Sequence, residues 1–236
     1  MLASNMNGHH ILIVDDEPNV GDVLSIYLQR EGFSTSIARD GRAALDAIRS
    51  QPPDLMILDV MLPHLDGLRI VRRLREVDES DVPILILSAK TEESDRILGL
   101  EIGADDYVTK PFSPKEVVSR VKAMLRRTKH TTLAVEKPAD FGRLHIDPRT
   151  REVHLDGQLC ALTAKEFDLL WFLARHPRQV FSRDQLLEHV WGFAEYVDPS
   201  TVTVHVRRLR EKIEDDPSRP QFVQTVWGVG YKFESE

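Results

Sequence analysis

Three carboxylates stand directly after runs of apolar residues. Asp15 and Asp16 follow ILIV, and Asp59 closes LMILD. Ser88 closes a third run, ILIL, and Lys110 follows the short run DYVT. Continuous apolar runs of this length read as strands buried on both faces. In an open parallel sheet the functional crevice lies beyond the carboxyl ends of such strands, because each chain turns into a loop there. Carboxylates gathered at that edge repel one another at low dielectric and need a cation to stay charged. An all-oxygen set of two or three carboxylates, with room left for water and phosphate, suits Mg²⁺ better than a dedicated Ca²⁺ cage. Lysine supplies the remaining positive charge. Taken singly these residues have plainer readings, with Asp15 and Asp16 as helix caps and Asp59 as the start of a turn. Their joint placement at successive strand ends is what points to chemistry.

The elements that must position them are legible in the hydrophobic rhythm. From Ile11 to Arg127 short apolar runs alternate with amphipathic stretches such as DVLSIYLQREG and RAALDAIRS. That strand-helix alternation predicts a doubly wound, five-stranded parallel α/β sheet with helices on both faces, a flavodoxin-like domain over residues 9–127. Residues 128–140, containing TKHTTLAVEKPAD, carry neither period and suit a linker. From Phe141 the pattern changes to the short runs GRLHIDP and REVHLDG, turning at Asp147-Pro148 and Asp156-Gly157. Three helical segments and a final hairpin follow, so residues 141–236 read as an α+β domain.

Composition narrows the function classes. The chain has 236 residues, ample for two domains, and a formal net charge of −7, so any contact with a polyanion must come from a local basic patch. Its single cysteine, Cys160, excludes an internal disulfide and a cysteine-based metal site. No apolar run approaches the length of a membrane span, and the opening MLASNMNGHH lacks the layout of a signal peptide, so no membrane partner and a cytoplasmic location are expected.

The one concentrated basic stretch is PSTVTVHVRRLREKI. Val202, Val206, Leu209 and Ile213 recur at offsets of four, three and four, which defines an apolar helical stripe. The opposite surface is then expected to present Thr201, Thr203, His205, Arg207, Arg208, Arg210 and Lys212. Such a helix fits the major groove of DNA, although from the helix alone a solvated charged face is an equal reading. The preceding segments open with Thr163 and Ser182 as N-caps, Glu166 completing a capping box. Gly228 and Gly230 lie between two alternating runs and mark a hairpin.

The segments IVDDE, LDVMLPHLDG, LSAK and DDYVTKPF together resemble the bacterial receiver domain over about 115 residues. The segments LTAKEFDLL, SRDQLLEHVW, TVTVHVRRLREKI and GVGYKF resemble the winged-helix effector of OmpR/PhoB-type response regulators. The first resemblance implies Asp59 as phosphoacceptor, Asp16 as a direct Mg²⁺ ligand, Asp15 acting largely through water, and Met61 ligating through its carbonyl. Ser88 and Lys110 would bind phosphoryl oxygens, Tyr107 would switch with them, and Lys110-Pro111 resembles the family's cis peptide. A sensor histidine kinase would supply the phosphoryl group, so the chain would be no enzyme beyond slow self-phosphorylation and dephosphorylation. Arg96, Ile97, Leu100, Asp106, Glu116, Arg120 and Ala123 resemble a dimer face on which Arg96 pairs with Glu116 and Asp106 with Arg120 across a two-fold axis, with dimerisation promoted by phosphorylation.

The second resemblance makes Thr201, Thr203 and Arg208 candidates for base readout in promoter DNA. Trp191, His205, Arg207, Arg210 and Thr225 would then meet the DNA backbone. The Gly192 to Asp198 loop would face RNA polymerase. Trp227 departs from the family, many members of which carry arginine there; anchoring the wing in the core is its expected role, with contact to sugar or to the receiver as alternatives. Two other classes compete with a DNA-binding switch: a phosphatase-like enzyme, for which no further general base is evident, and a phospho-regulated interaction module, which has no need of the arginine-rich helix.

Overall fold

The computed structural model describes residues 8–63, 65–78, 80–89, 92–126, 137–192 and 198–234. It divides into two compact units, Met1–Leu125 and Arg126–Glu236.

The first unit alternates β1 (His10–Val14), α1 (Pro18–Arg30), β2 (Ser34–Ala38), α2 (Gly41–Ser50), β3 (Leu55–Asp59), α3 (Gly67–Glu76), β4 (Ile84–Ser88), α4 (Glu93–Ile102), β5 (Asp106–Thr109) and α5 (Pro114–Arg126). The sheet order is β2-β1-β3-β4-β5 and every pairing is parallel. The chain therefore reverses winding direction between β1 and β3, the switch point where crevices form in such sheets. β3 and β4 are buried throughout, as their continuous apolar runs predict, whereas the edge strand β2, STSIA, is buried only at Ala38. Polar caps set the helix starts: Asp40 accepts from Ala43 N at 2.8 Å and Asp66 from Leu68 N at 2.9 Å. Gly67 is required by packing, because a Cβ there would lie 2.3 Å from the carbonyl oxygen of Asp59. That approach holds the loop after β3 against the backbone of Asp59.

The second unit opens with an antiparallel meander, β6 (Ala139–Phe141), β7 (Leu144–Asp147), β8 (Glu152–Leu155) and β9 (Gln158–Leu159). Its first strand begins two residues ahead of Phe141, inside the segment expected to be linker. The Asp156-Gly157 turn has both residues at positive φ, 50° and 78°, the geometry of a tight hairpin. Then come α6 (Ala164–Ala174), β10 (Phe181–Ser182), α7 (Arg183–Leu186) running into a π-helical turn at Leu187–Trp191, α8 (Ser200–Ile213), β11 (Val223–Val226) and β12 (Gly230–Phe233). β10, β12 and β11 form a second small sheet. Thr163 and Glu166 close a capping box at α6, and Ser182 closes one with Gln185 at α7. The Val202, Val206, Leu209, Ile213 stripe of α8 is buried in a core with Leu169, Leu173, Leu186 and Phe233.

Candidate functional site

At the carboxyl edge of the parallel sheet, β1 delivers Asp15 and β3 delivers Asp59. Both side chains are buried, and with Glu17 they place carboxylate oxygens within 4.8 Å of one another. Lys110, from the end of β5, reaches all three: its Nζ lies 2.5 Å from Asp59 Oδ2, 3.1 Å from Asp15 Oδ2 and 3.2 Å from Glu17 Oε1. Asp59 Oδ1 accepts from the Met61 backbone N at 2.9 Å, and Asp15 Oδ1 from Glu17 N at 2.9 Å. The Lys110-Pro111 peptide is cis.

The electrostatics follow from three acids sharing one base. Burial raises the Asp15 carboxyl above its ordinary value, despite the Glu17 amide and the Lys110 ammonium. Burial also opposes the Lys110 charge, but hydrogen bonds and charge from Asp59 and Asp15 prevail and hold it above the ordinary lysine range. One lysine does not balance three carboxylates, so the pocket keeps an excess of negative charge. An all-oxygen donor set with that excess fits a divalent cation of the Mg²⁺ type.

The structure places one further acid beside the expected set. Glu17, overlooked in the sequence although it directly follows the Asp pair, joins Asp15 and Asp59 around the lysine. Asp16 is exposed and makes no hydrogen bond or ion pair among the described residues. Met61 lies beside them with its side chain 60% exposed. Ser88, at the end of β4, is buried, and its carbonyl accepts from Lys110 N at 2.7 Å, tying the serine and lysine loops together. Tyr107 is buried, its ring so close to Gly99 that a Cβ there would sit 3.3 Å away.

The surface expected to pair subunits is largely closed within the chain. Arg120 is buried and donates to Asp106 Oδ2 at 2.8 Å and Glu116 Oε1 at 2.9 Å. The Asp106–Arg120 pair expected between subunits is thus intramolecular, and Glu116, expected opposite Arg96, is engaged by Arg120. The cause is local: Glu116 and Arg120 are one helical turn apart, and α5 passes the start of β5 at Asp106. Leu100 and Ala123 are also buried, while Arg96 and Ile97 are partly exposed.

In the second unit α8 presents a narrower outer face than its sequence suggests. Thr203 and Arg207 are exposed, Arg210 and Lys212 partly so, but Thr201, His205 and Arg208 are buried, as is Trp191. Burial of the helix extends well beyond the aliphatic stripe. Arg208 Nη2 lies 2.7 Å from Glu166 Oε1 and Lys212 Nζ lies 2.7 Å from Glu166 Oε2, so a fully buried carboxylate of α6 holds two cations of α8. Burial would raise the Glu166 carboxyl, but those two charges hold it below its ordinary value. His205 Nδ1 bonds the Thr201 carbonyl at 2.9 Å, its Nε2 is buried with no hydrogen-bond partner among the described residues, and its ring meets Trp191 edge-on at 5.0 Å. Burial, then Arg208, depress the imidazole to about 3. Thr201, His205, Arg208 and Trp191 are therefore inward-facing, a correction to their expected place on the outer surface.

The exposed stripe is joined to the hairpin. Arg210 donates to the Val223 carbonyl and to Thr225 Oγ1, each at 2.8 Å. Tyr231 Oη lies 3.3 Å from Thr203 Oγ1, and Arg183 bonds Thr203 at 3.2 Å while stacking over the Tyr231 ring. Arg183 was not singled out in the sequence, where SRDQ signals only a helix start. Trp227 is 89% exposed at the hairpin tip, so the expectation that it anchors the core is overturned. Residues 193–197 of the loop expected to meet RNA polymerase lie outside the described residues. Among the described residues no helix is long and apolar enough to cross a membrane.

Comparison with known proteins covers both units. Residues 11–122 match the response regulator receiver domain, and residues 157–233 match the C-terminal transcriptional regulatory protein family. The DNA-binding response regulator MtrA of Mycolicibacterium smegmatis is 51% identical over 225 residues, spanning 94% of this chain and 95% of that protein. The transcriptional regulatory protein YclJ of Bacillus subtilis is 48% identical over 231 residues, spanning 96% and 99%. The crystal structure of DrrB, an OmpR/PhoB homologue of Thermotoga maritima, is 36% identical and covers 96% of this chain and 99% of that one, with a TM-score of 0.51.

Proposed function

Because the chain belongs to the OmpR/PhoB family of two-component, DNA-binding transcriptional response regulators, we propose that Asp59 is its phosphoacceptor and that the exposed stripe of α8 with the adjoining hairpin reads promoter DNA. The observation that carries the first half is the Asp59 carboxylate at the β1/β3 switch point, gripped by Lys110 at 2.5 Å. One Asp59 oxygen bonds to phosphorus as the bond from phosphorus to the sensor kinase's histidine nitrogen breaks, and that bond's electron pair leaves with the imidazole. Phosphoryl transfer needs mainly alignment and neutralisation of spreading charge. Lys110 supplies a fixed cation for a phosphoryl oxygen, and the Ser88 loop, already tied to Lys110 by its backbone, supplies a hydroxyl.

Asp15, Asp16 and Asp59, with the Met61 carbonyl, would hold Mg²⁺. Glu17 serves Lys110, which leaves Asp16 open to a hydrated ion. The bound ion would neutralise the remaining oxygens of the phosphoryl group. The same pocket would support self-phosphorylation from small acyl phosphates and slow dephosphorylation. Added charge at Asp59 draws on Lys110 and Ser88, and Tyr107, packed on Gly99, is the side chain placed to respond. Homodimerisation on phosphorylation then requires Arg120 and Asp106 to exchange their intramolecular bonds for bonds to a second copy, beside Arg96, Ile97, Leu100, Glu116 and Ala123.

On α8, Thr203 is the base-reading candidate, and Arg207, Arg210 and Thr225 are placed for phosphates. Arg208, held on Glu166, positions the helix. The Gly192–Asp198 loop is the proposed polymerase contact. The test is incubation with acyl phosphate and Mg²⁺ followed by intact mass measurement. Addition of one phosphoryl group, absent in Asp59→Asn and without Mg²⁺, is the expected result; unchanged incorporation in Asp59→Asn would place the acceptor elsewhere.

A further inference from the structure

The antiparallel meander of the second unit carries a row of metal-binding side-chain types across its outer face. Strand pairing sets Asp140 of β6 opposite His145 of β7, and His145 opposite His154 of β8. The alternate residues Leu144, Ile146 and Val153 are buried, so the row points away from the core. The two imidazole rings stand 6.2 Å apart between centroids, tilted by 55°. Two residues from His154 on the same face of β8 is Glu152, an exposed carboxylate with no hydrogen bond or ion pair among the described residues. Its cross-strand neighbour Asp147 is instead taken up by Arg149, at 2.6 Å.

His145 is already set as a ligand. Its Nδ1 lies 2.5 Å from Asp140 Oδ1, and because a carboxylate only accepts, the proton of the neutral ring sits on Nδ1. Nε2, across the ring, then keeps its lone pair. A carboxylate behind a histidine fixes the ring orientation in this way and makes the ligating nitrogen more basic. His154 makes no hydrogen bond or ion pair among the described residues, which leaves its ring nitrogens open to a ligand. Two nitrogens on one tetrahedral zinc ion end about 3.3 Å apart, a spacing that rings at this separation reach by small side-chain rotations. Imidazole joined by carboxylate selects first-row divalent cations, whereas Mg²⁺ and Ca²⁺ take oxygen ligands. We propose that His145, His154 and Glu152 bind Zn²⁺ on the outer face of the meander, with Asp140 as the positioning residue that orients His145. The site shares no residue with the Asp59 pocket, and bound metal ties β8 to β7 and, through Asp140, to β6.

The experiment titrates Zn²⁺ into the full chain in saturating Mg²⁺, following urea unfolding by the tryptophans, all three of which lie in this unit, and the histidine ring resonances of the native protein. Zn²⁺ is expected to raise the urea midpoint in a saturable manner, Mg²⁺ to leave it unmoved, and the His145 and His154 signals to shift together. His145→Ala and His154→Ala, each unfolding like the wild type without metal, should lose the zinc effect. Asp140→Ala should bind about tenfold or more weakly, and Asp140→Asn, whose carbonyl can still accept from Nδ1, should recover part of that loss. Glu152→Gln should weaken binding while both ring signals still respond. An undiminished zinc effect in His154→Ala would overturn the proposal, as would a wild type whose midpoint and ring signals ignore Zn²⁺. Wild-type affinity in Asp140→Ala would contradict the orienting role.

Discussion

Both units bury a carboxylate against cations, with opposite balance. In the receiver, Asp15, Glu17 and Asp59 share one cation among the described residues, Lys110, and burial leaves Asp15 harder to ionise than an ordinary aspartate. In the effector, Glu166 alone is matched by Arg208 and Lys212 and is easier to ionise than an ordinary glutamate. The first cluster carries more acids than its lysine balances, which is the room our proposal gives to a divalent cation and a phosphoryl group. The second is complete within the protein and holds a helix in place. A buried charge marks a reactive site when its partners are too few, and a structural one when they suffice.

The largest expected effect separates the two clusters by stability. Glu166→Ala strands the buried Arg208 and removes the carboxylate partner of the half-buried Lys212, and should cost about 3–5 kcal/mol. Asp59→Asn relieves repulsion among acids and should change stability by less than about 1 kcal/mol. All three tryptophans lie in the effector, so urea unfolding followed by their fluorescence reads the first variant directly, and far-UV circular dichroism reads the second. Equal losses in the two would erase the distinction. Next in size, Mg²⁺ at about a hundred times its Kd should stabilise the receiver by about 2.7 kcal/mol and leave the effector transition unmoved. Asp16→Asn should reduce that gain; a full gain in this variant would remove Asp16 from the ligand set.

The pH responses should run in opposite directions. His205 has a folded pKa of about 3 against an ordinary 6.5, so between those values the unfolded effector binds more protons and stability falls as pH falls. The slope approaches about 1.4 kcal/mol per pH unit below pH 6.5 and should flatten in His205→Asn. Asp15 is raised when folded, so in the metal-free receiver its contribution is fully present below the unfolded value of 3.8 and is lost as pH rises through the raised value. Unfolding midpoints from pH 7 to 4, read separately for the two units, check both signs. The smallest effect concerns the outer stripe: Arg207→Ala should weaken binding to all sequences alike and lower the salt slope by about 0.9. Loss confined to one base position would make Arg207 a reader.

The legibility of the sequence divides along the same line. Strand ends are fixed by apolar runs, so Asp15, Asp59, Ser88 and Lys110 could be placed in one crevice without coordinates. Which of two adjacent acids, Asp16 or Glu17, turns toward the lysine depends on the path of the loop after β1, and no periodicity encodes that. For α8 the aliphatic stripe was readable but the width of its buried arc was not. Thr201, His205 and Arg208 read as surface residues by type, and only the arrival of Glu166 and Trp191 makes them interior. Trp227 misled for the converse reason: a large aromatic is usually buried, but a two-stranded tip has no second layer to cover it. The Asp106–Arg120 pair was recognised as a pair, while its closure within one chain depends on how α5 crosses β5.

The most direct test of a phosphorylation-controlled DNA-binding protein is selection of duplexes from a random pool by the full chain, with and without acyl phosphate and Mg²⁺, beside Asp59→Asn. Enrichment of one sequence, tightened by the phosphoryl donor in the wild type and unaffected by it in Asp59→Asn, is the predicted result. Enrichment that the donor tightens equally in both proteins, or none in either state, would contradict it.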